Sequence, residues 1–129
     1  MVFSIGPDAS VYDAIAMMAD KHVGALPVME GDKLIGLISE RDYARKGFLK
    51  GRSSPDTKVR EIMSDRVMVV STERTTEECM ALMTDKRIRH LPVVQDGELV
   101  GVVSIGDLVK AIISEQRFTI EQLEHYITS

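Results

Sequence analysis

An internal repeat constrains this chain more than any other feature of its sequence. Shifting the sequence by 65 positions aligns residues 3–43 with residues 68–108 without a gap, and 11 of the 41 aligned positions are identical. Both copies contain the tripeptide Leu-Pro-Val, at 26–28 and at 91–93. A duplication of this kind restricts the fold to two copies of one unit that bury apolar surface against each other.

Both copies predict the same order of elements. A short strand leads to an amphipathic helix that begins after Ser10 or Thr75, each followed three positions later by an acidic residue, as in a capping box. Two apolar strands joined by a Gly- and Asp-containing turn follow, and a second helix begins at Ser39 or Ser104. The predicted strands are 2–5, 26–30, 34–38, 67–70, 91–95 and 99–103.

This pattern predicts an α/β fold of the mixed α+β kind. We expect two β-α-β-β-α units packed about a pseudo-twofold axis, with the sheets inside and the helices outside. The expected boundaries are a first repeat at 1–48, a linker with a short helix at 49–66, a second repeat at 67–113 and a helical extension at 114–129. The extension carries apolar residues that could pack on their own domain or on a second subunit: Phe118, Ile120, Leu123 and Ile127.

Composition narrows the classes of partner. The formal net charge is −4, from 16 basic and 20 acidic residues, so the overall field disfavours nucleic acids and anionic membranes. Any bound anion must therefore be held by a local basic cluster. No apolar run approaches the ~20 residues of a membrane span, and no secretory signal is visible at the N-terminus. With Cys79 as the only cysteine, we expect a buried thiol and a reducing cytoplasm.

The pattern favours binding over catalysis. The three histidines, His22, His90 and His125, lack metal-ligand spacing, and no Ser-His-Asp or Cys-His arrangement is suggested. We therefore expect no metal site and no enzymatic activity. An enzymatic function is the one that the sequence favours least.

The most unusual local feature is a group of basic and titratable residues directly before one apolar strand. Arg87, Arg89 and His90 immediately precede the run Leu91–Val94, where a strand entering a core has no need of charge. They would suit a cleft that binds an anion, whereas the alternative is a solvated helix end where basic residues complement the macrodipole. Likewise, the Ser-x-x-Asp that follows each hairpin matches an ordinary helix cap as well as a binding motif.

The doubled unit, each copy with "LPV", a hairpin and then "G-h-h-S-x-x-D" (h being apolar), resembles a tandem pair of cystathionine-β-synthase (CBS) domains. The resemblance covers residues 2 to about 113, and "RHLPVV" running to "GVVSIGDLVK" is similar to the free-standing bacterial members. It implies a regulatory module that binds an adenine nucleotide (AMP, ADP, ATP or NAD, or S-adenosylmethionine in some members) in clefts between the copies. It also implies a homodimer, and a regulated protein partner is compatible with it.

The resemblance implies a ligand set position by position. Asp42 and Asp107 would hold the ribose hydroxyls, with Ser39 and Ser104 near the phosphate or ribose. The remaining implied residues line the base pocket or precede "LPV": Phe3, Val23, Gly24, Ala25, Leu37, Met68, Ile88, Arg89, His90 and Val102. Because the first copy has Gly24-Ala25 where the second has Arg89-His90, the two clefts are not expected to be equivalent.

Elementary chemistry agrees with these roles. One carboxylate can accept from both ribose hydroxyls, and charge-assisted hydrogen bonds contribute roughly 1.5–3 kcal/mol each. A helix N-terminus offers free N–H groups to a phosphate, and Arg89 can bind it in a bidentate fork with His90 as a further donor. The favoured function is a non-catalytic nucleotide sensor. The alternative is a dimerisation or partner-interaction module whose clefts are vestigial.

Overall fold

A computed structural model describes the backbone of residues 2–128 and the side chains of residues 2–117, 120 and 122. It confirms the mixed architecture of two related units that the repeat predicts. The first unit contains α1 (Val11–Lys21), β1 (Ala25–Glu30), β2 (Lys33–Ser39) and α2 (Glu40–Asp42). The second contains β3 (Val70–Ser71), α4 (Thr76–Lys86), β4 (His90–Gln95), β5 (Glu98–Ser104) and α5 (Ile105–Thr128).

The predicted capping patterns start the first helix of each unit, α1 and α4. Ser10 Oγ accepts a hydrogen bond from the backbone N–H of Asp13 at 3.0 Å, and Thr75 Oγ1 accepts from that of Glu78 at 3.1 Å. The helices end where His22 and Arg87 adopt left-handed backbone conformations. Local sequence thus sets the length of α1 and α4, as a cap at each end should.

The two hairpins keep the symmetry of the repeat. Ala25 pairs with Ser39 in the first hairpin, and His90 pairs with Ser104 in the second, which are the same positions after the 65-residue shift. The strands predicted at 26–30, 34–38, 91–95 and 99–103 are confirmed, with one residue added at most of their ends. In the second turn both Asp96 and Gly97 have positive φ, as a type I′ hairpin turn requires.

The predicted first strand of each unit was too long. In the first unit only Ile5 pairs, through a parallel bridge to Val28, and in the second the strand covers Val70 and Ser71 alone. One residue of each segment packs against a core, and the two residues directly before it are exposed, among them Phe3, Met68 and Val69. Without a neighbouring strand for their backbones, these residues lack the ladder that defines a strand.

The second helix of the first unit is irregular. After α2 the chain makes a π turn (Tyr43–Gly47) and a 3-10 turn (Phe48–Lys50), whereas α5 is continuous. Gly47 is buried at the end of the π turn, where a Cβ would lie 3.3 Å from Tyr43 and 3.9 Å from Ile62. A side chain at position 47 would therefore crowd the ring of Tyr43, while it would make only an ordinary contact with Ile62 of the short helix α3 (Val59–Ile62). No helix in the described part of the chain is both long and apolar enough to cross a membrane.

Each unit has its own apolar core. The second core contains the free thiol of Cys79 and is smaller, with Val70, Met83, Leu91 and Leu108 as its other buried members. The first core is completed by α3, which contributes the fully buried side chains of Val59 and Ile62. Its other buried members are Val11, Ala14, Met18, Leu26, Val28 and Ile38.

The segment after α3 closes the edge of β2. Ser64 exchanges two backbone hydrogen bonds with Leu37, at 2.8 and 2.9 Å, and the side chain of Met63 lies over Gly36. A Cβ on Gly36 would come within 2.6 Å of Met63 Sδ and 2.9 Å of the Ser64 carbonyl oxygen. The equivalent Gly101 in β5 has no heavy atom within 4 Å of such a Cβ among the described residues. Gly36 is therefore required by packing, and Gly101 is not.

We expect Gly36→Ala to lower the free energy of unfolding by about 1–3 kcal/mol, because the added methyl group overpacks the contact with Met63 and Ser64. Gly101→Ala is the matched control and should change stability by no more than about 0.5 kcal/mol, since its methyl group meets open space. Urea unfolding monitored by circular dichroism measures both variants. Equal losses in the two would contradict the close approach at Gly36.

Candidate functional site

A cleft of about 500 Å³ lies between the two units, and we call it cleft A. Both repeats contribute to it, the first through the ends of its strands and the start of its irregular helix. It is lined by Gly24, Leu37, Ser39, Glu40, Arg41, Arg45, Ile88, Arg89 and His90. Apolar and strongly basic side chains thus face the same space, whose volume falls in the range of small-molecule sites.

A second cleft between the units, cleft B, has a different chemistry and overlaps only in part with the pseudosymmetric position, through Val23, Ala25 and Val102, the equivalents of Ile88, His90 and Leu37. Its volume is about 230 Å³, less than half that of cleft A. Its lining residues carry no charged or hydrogen-bonding side chain: Val2, Phe3, Val23, Ala25, Leu26, Pro27, Val100, Gly101 and Val102. The repeat therefore supplies two clefts of related position, and only cleft A has groups that can bind an anion.

The backbone around the clefts keeps the twofold relation that the side chains lose. The N–H of Glu40 donates to the carbonyl oxygen of Gly24 at 3.0 Å, and the N–H of Ile105 donates to that of Arg89 at 2.9 Å. These pairs are equivalent under the 65-residue shift. Chemical asymmetry therefore arises from side-chain identity on a common frame.

Gly24 and His90 meet where the units come together at cleft A. A Cβ on Gly24 would lie 3.2 Å from Nε2 of His90 and 3.4 Å from Oε1 of Glu40. The missing side chain at position 24 thus makes room for the imidazole at 90. The two small residues of the first copy and the two large ones of the second are complementary.

Both Ser-x-x-Asp motifs form capping interactions. Asp42 Oδ2 accepts from the backbone N–H and the hydroxyl of Ser39, both at 2.9 Å, and Ser39 Oγ accepts from the Asp42 N–H at 3.1 Å. Asp107 Oδ2 likewise accepts from the Ser104 N–H at 2.9 Å. The capping interpretation therefore holds for both motifs. It leaves Oδ1 of Asp42, 3.6 Å from Lys46 Nζ, with capacity for a further hydrogen bond.

The helix N-terminus contributes less to anion binding than the sequence suggested. Helix α2 has only three residues before the π turn, and the N–H groups of Glu40 and Asp42 already donate to Gly24 and Ser39. The N–H of Ile105 at the start of α5 is also used. With these donors engaged, an anion in cleft A has to be held mainly by side chains.

His90 is held in its neutral form. Burial lowers the pKa of its imidazole and is the largest influence on it. The nearby carboxylates of Glu40, Asp107 and Asp42 raise that pKa, and the Arg89 guanidinium lowers it. Burial disfavours the charged ring because it removes water from the cation. At neutral pH the ring therefore offers one N–H donor and one acceptor rather than a second positive charge.

The structure separates the residues implied by the family resemblance into three groups. Gly24, Leu37, Ser39, Ile88, Arg89 and His90 line cleft A. Phe3, Val23, Ala25 and Val102 line cleft B. Asp42, Met68, Ser104 and Asp107 line neither, although both aspartates cap the helices beside the clefts.

Three residues of cleft A were missed from the sequence: Glu40, Arg41 and Arg45. A signal for the two arginines was present. They are spaced four apart directly after the hairpin, and the second copy has Gly106 and Lys110 at those positions. Residues at this spacing share a helix face, so the pair could have been assigned to one common side of the helix, although the spacing does not say which side. Within the described residues, no group of three or more potential metal ligands occurs.

The lowered pKa of His90 predicts a pH dependence of stability. The unfolded chain takes up a proton near the ordinary histidine pKa of about 6.5, while the folded chain resists it, so stability is full above that value and falls as the pH drops toward the folded pKa. His90→Gln should flatten this loss in urea titrations between pH 7 and 5. His22→Asn, which replaces the exposed histidine that ends α1, should leave the loss unchanged. A steeper loss in His90→Gln would contradict a buried neutral ring.

The comparisons with known proteins agree with this geometry. The family model of the CBS domain matches residues 2–47 and 59–114. The chain is 46% identical over 125 residues to a mitochondrial CBS domain-containing protein, CBSX3, of Arabidopsis thaliana, covering 93% of this chain and 61% of that protein. It is 51% identical to the solved structure of a protein with CBS domains from Burkholderia ambifaria MC40-6, with a TM-score of 0.87 and coverage of 90% and 85%.

A match within a larger enzyme is confined to a small part of it. The chain is 32% identical to inosine-5′-monophosphate dehydrogenase of Methanocaldococcus jannaschii but covers only 21% of that enzyme, through its CBS part. CBS-domain proteins are generally regulatory modules that bind adenosine ligands, and they are usually non-catalytic. With both repeats matched and the fold shared, this chain belongs to the CBS-domain family, of which it carries two copies in tandem.

Proposed function

We propose that this protein is a non-catalytic sensor that binds an adenine nucleotide in cleft A. The observation that carries the proposal is the joint lining of one cleft by apolar Leu37 and Ile88 and by basic Arg89. An adenine ring needs apolar walls and a phosphate needs a guanidinium, and here both are supplied from two different repeats.

The sugar is assigned to the first copy. Asp42 lies beside Ser39 of the cleft and retains one carboxylate oxygen outside its cap. That oxygen suits a ribose hydroxyl, while the cap fixes the position of the carboxylate. Capping and ligand binding are therefore complementary roles of the same residue.

Cleft B is not assigned a nucleotide. It is less than half as large as cleft A, and its lining side chains offer no partner for a phosphate. We therefore propose one nucleotide per chain. Of the two clefts, only cleft B would then be vestigial.

A ligand in cleft A would contact both repeats at once. Such a ligand stabilises the arrangement of the units that keeps Arg89 and Leu37 at the spacing it needs. The difference in ligand affinity between this arrangement and any other is the source of a signal. We propose that the signal is passed to a regulated protein partner. The division into repeats at 1–48 and 67–113, with a linker and a helical extension, is part of this proposal, as is a cytoplasmic location.

We further propose that the protein is a homodimer joined through its helices. CBS-domain proteins often form oligomers, and α5 presents exposed apolar residues at helical spacing. These are Ile105, Val109, Ile113 and Ile120. A second copy would cover this stripe. Of the other apolar residues expected to contribute, the side chains of Phe118, Leu123 and Ile127 lie outside the described residues.

We expect adenine nucleotides to raise the melting temperature and guanine nucleotides to do so less. A ligand at 100 times its dissociation constant stabilises the folded chain by about 2.7 kcal/mol. Asp42→Ala should weaken AMP and adenosine alike by roughly 10- to 150-fold in calorimetry, since both carry the ribose hydroxyls.

Asp107→Ala is the matched control for this experiment. This variant loses the hydrogen bond from Ser104 N–H, just as Asp42→Ala loses the one from Ser39 N–H. The stability of the two variants should therefore fall alike, while Asp107→Ala should still bind the nucleotide in cleft A. Equal weakening in both variants would contradict the assignment to cleft A. No stabilisation by millimolar AMP, ATP or NAD would favour the partner-interaction module.

The dimer is tested on α5. Ile113→Glu places a charge in the middle of the apolar stripe and should shift the mass in light scattering toward the monomer, because burying an unpaired carboxylate is costly. Leu49→Glu alters a more exposed apolar residue outside α5 and should leave the mass unchanged. A monomer mass for the unaltered protein at tens of micromolar would overturn this part of the proposal.

A further inference from the structure

Cleft A has a net positive charge that is carried by three separate guanidinium groups. Arg41 and Arg45 of the first repeat and Arg89 of the second all line it, and Glu40 is the one carboxylate in the lining. This surplus occurs in a chain whose formal net charge is −4. The charge is therefore concentrated at the cleft against the overall balance.

These three arginines lack ion-pair partners within the part of the chain that the structure describes. Outside the cleft, Arg52, Arg60 and Arg74 lie 3.5, 2.9 and 2.9 Å from the carboxylates of Glu61, Asp8 and Glu78, whereas Arg66, Arg87 and Arg117 form no ion pair among the described residues. Carboxylates near the cleft have other roles. Asp42 accepts from Ser39 and faces Lys46, and Glu40 lies beside His90 and Gly24.

Three guanidinium groups match a chain of phosphates better than a single one. Each guanidinium presents a planar fork that fits two phosphate oxygens, and a phosphate monoester carries about −1.5 to −2 charges at neutral pH. Three arginines less the one carboxylate of Glu40 leave the lining with a net charge of about +2, which a monophosphate balances, but a monophosphate offers fewer oxygens than three forks of two contacts each can engage. A diphosphate or triphosphate supplies enough charge and enough oxygens to engage all three.

The placement of the arginines also suggests an order along the ligand. Arg89 directly precedes the strand that begins at His90, next to Gly24 and the base-lining Ile88. Arg41 and Arg45 come from the opposite repeat, on α2 and the π turn that follows it. Phosphates that extend from the ribose toward this irregular helix would meet Arg41 and Arg45 in addition to Arg89.

We propose that cleft A is specific for an adenosine that carries at least two linked phosphates, and that Arg41 and Arg45 determine this specificity. The inference rests on the proposed function, since it names the ligand class of the same cleft. ADP, ATP and dinucleotides with a diphosphate bridge share the required chemistry. AMP and adenosine lack it.

The test is calorimetric titration of the full chain with adenosine, AMP, ADP, ATP and NAD at fixed ionic strength. Affinity should rise at least tenfold from AMP to ADP. Arg41→Ala and Arg45→Ala should each weaken ADP and ATP by roughly 10- to 150-fold and leave adenosine unchanged. Lys50→Ala removes one positive charge from the same segment outside the cleft and should leave every affinity unchanged.

The outcomes separate this inference from the proposed function. Equal affinity for AMP and ADP, or equal effects of Lys50→Ala and Arg45→Ala, would overturn the diphosphate specificity while adenosine binding still stands. No binding of any adenine compound would overturn both. Inorganic tripolyphosphate is the remaining probe, and affinity equal to that for ATP would show that the adenosine adds nothing. If Arg41→Ala fails to fold by circular dichroism, Arg41→Gln and Arg45→Gln supply the same comparison.

Discussion

The approach of His90 to the bare backbone of Gly24 is the contact on which the rest of cleft A depends. A side chain at position 24 would meet Nε2 of His90 at 3.2 Å, so the imidazole keeps its place because the first repeat has glycine there. This complementarity brings Arg89 to the boundary between the repeats.

Duplication and divergence act on different levels of this structure. The backbone hydrogen bonds that begin α2 and α5 are equivalent, as are the hairpin registers and the caps. Main-chain geometry is set by caps and strand pairing, which many sequences satisfy. Side chains that face the cleft contribute little to that geometry, so they are free to differ between copies. The two repeats thus share one frame, while their side chains give the two clefts different charge.

Much of this could be predicted from the sequence because it is local. Ser10, Thr75 and the two hairpin turns determine the elements around them within four residues. The lengths of the first strands could not be predicted. The segments around Phe3 and Met68 have the apolar composition of a strand, but their backbones have no neighbouring strand to pair with. Such pairing depends on tertiary contacts that no short window contains.

The site shows the same division. Arg89 and His90 stand out because they precede an apolar strand, whereas Arg41 and Arg45 resemble ordinary charges on a solvated helix. Arg41 lies in the three-residue helix α2, and Arg45 lies in the π turn that follows it at Tyr43–Gly47. Helical spacing alone does not reveal such a turn, because an extra residue per turn rotates the face that follows it.

A short connection joins the proposed nucleotide to the proposed dimer surface. Arg89 lines cleft A, and its carbonyl oxygen accepts the N–H of Ile105, the first residue of α5. Ile105 is also the first member of the exposed apolar stripe on that helix. A ligand that fixes the backbone at Arg89 therefore acts one hydrogen bond away from the helix that a second copy would cover. Coupling of this kind requires that the ligand bind more tightly in one position of α5 than in another. A phosphate bound to the Arg89 guanidinium determines the position of that side chain, and through the Arg89 backbone it can favour one position of α5.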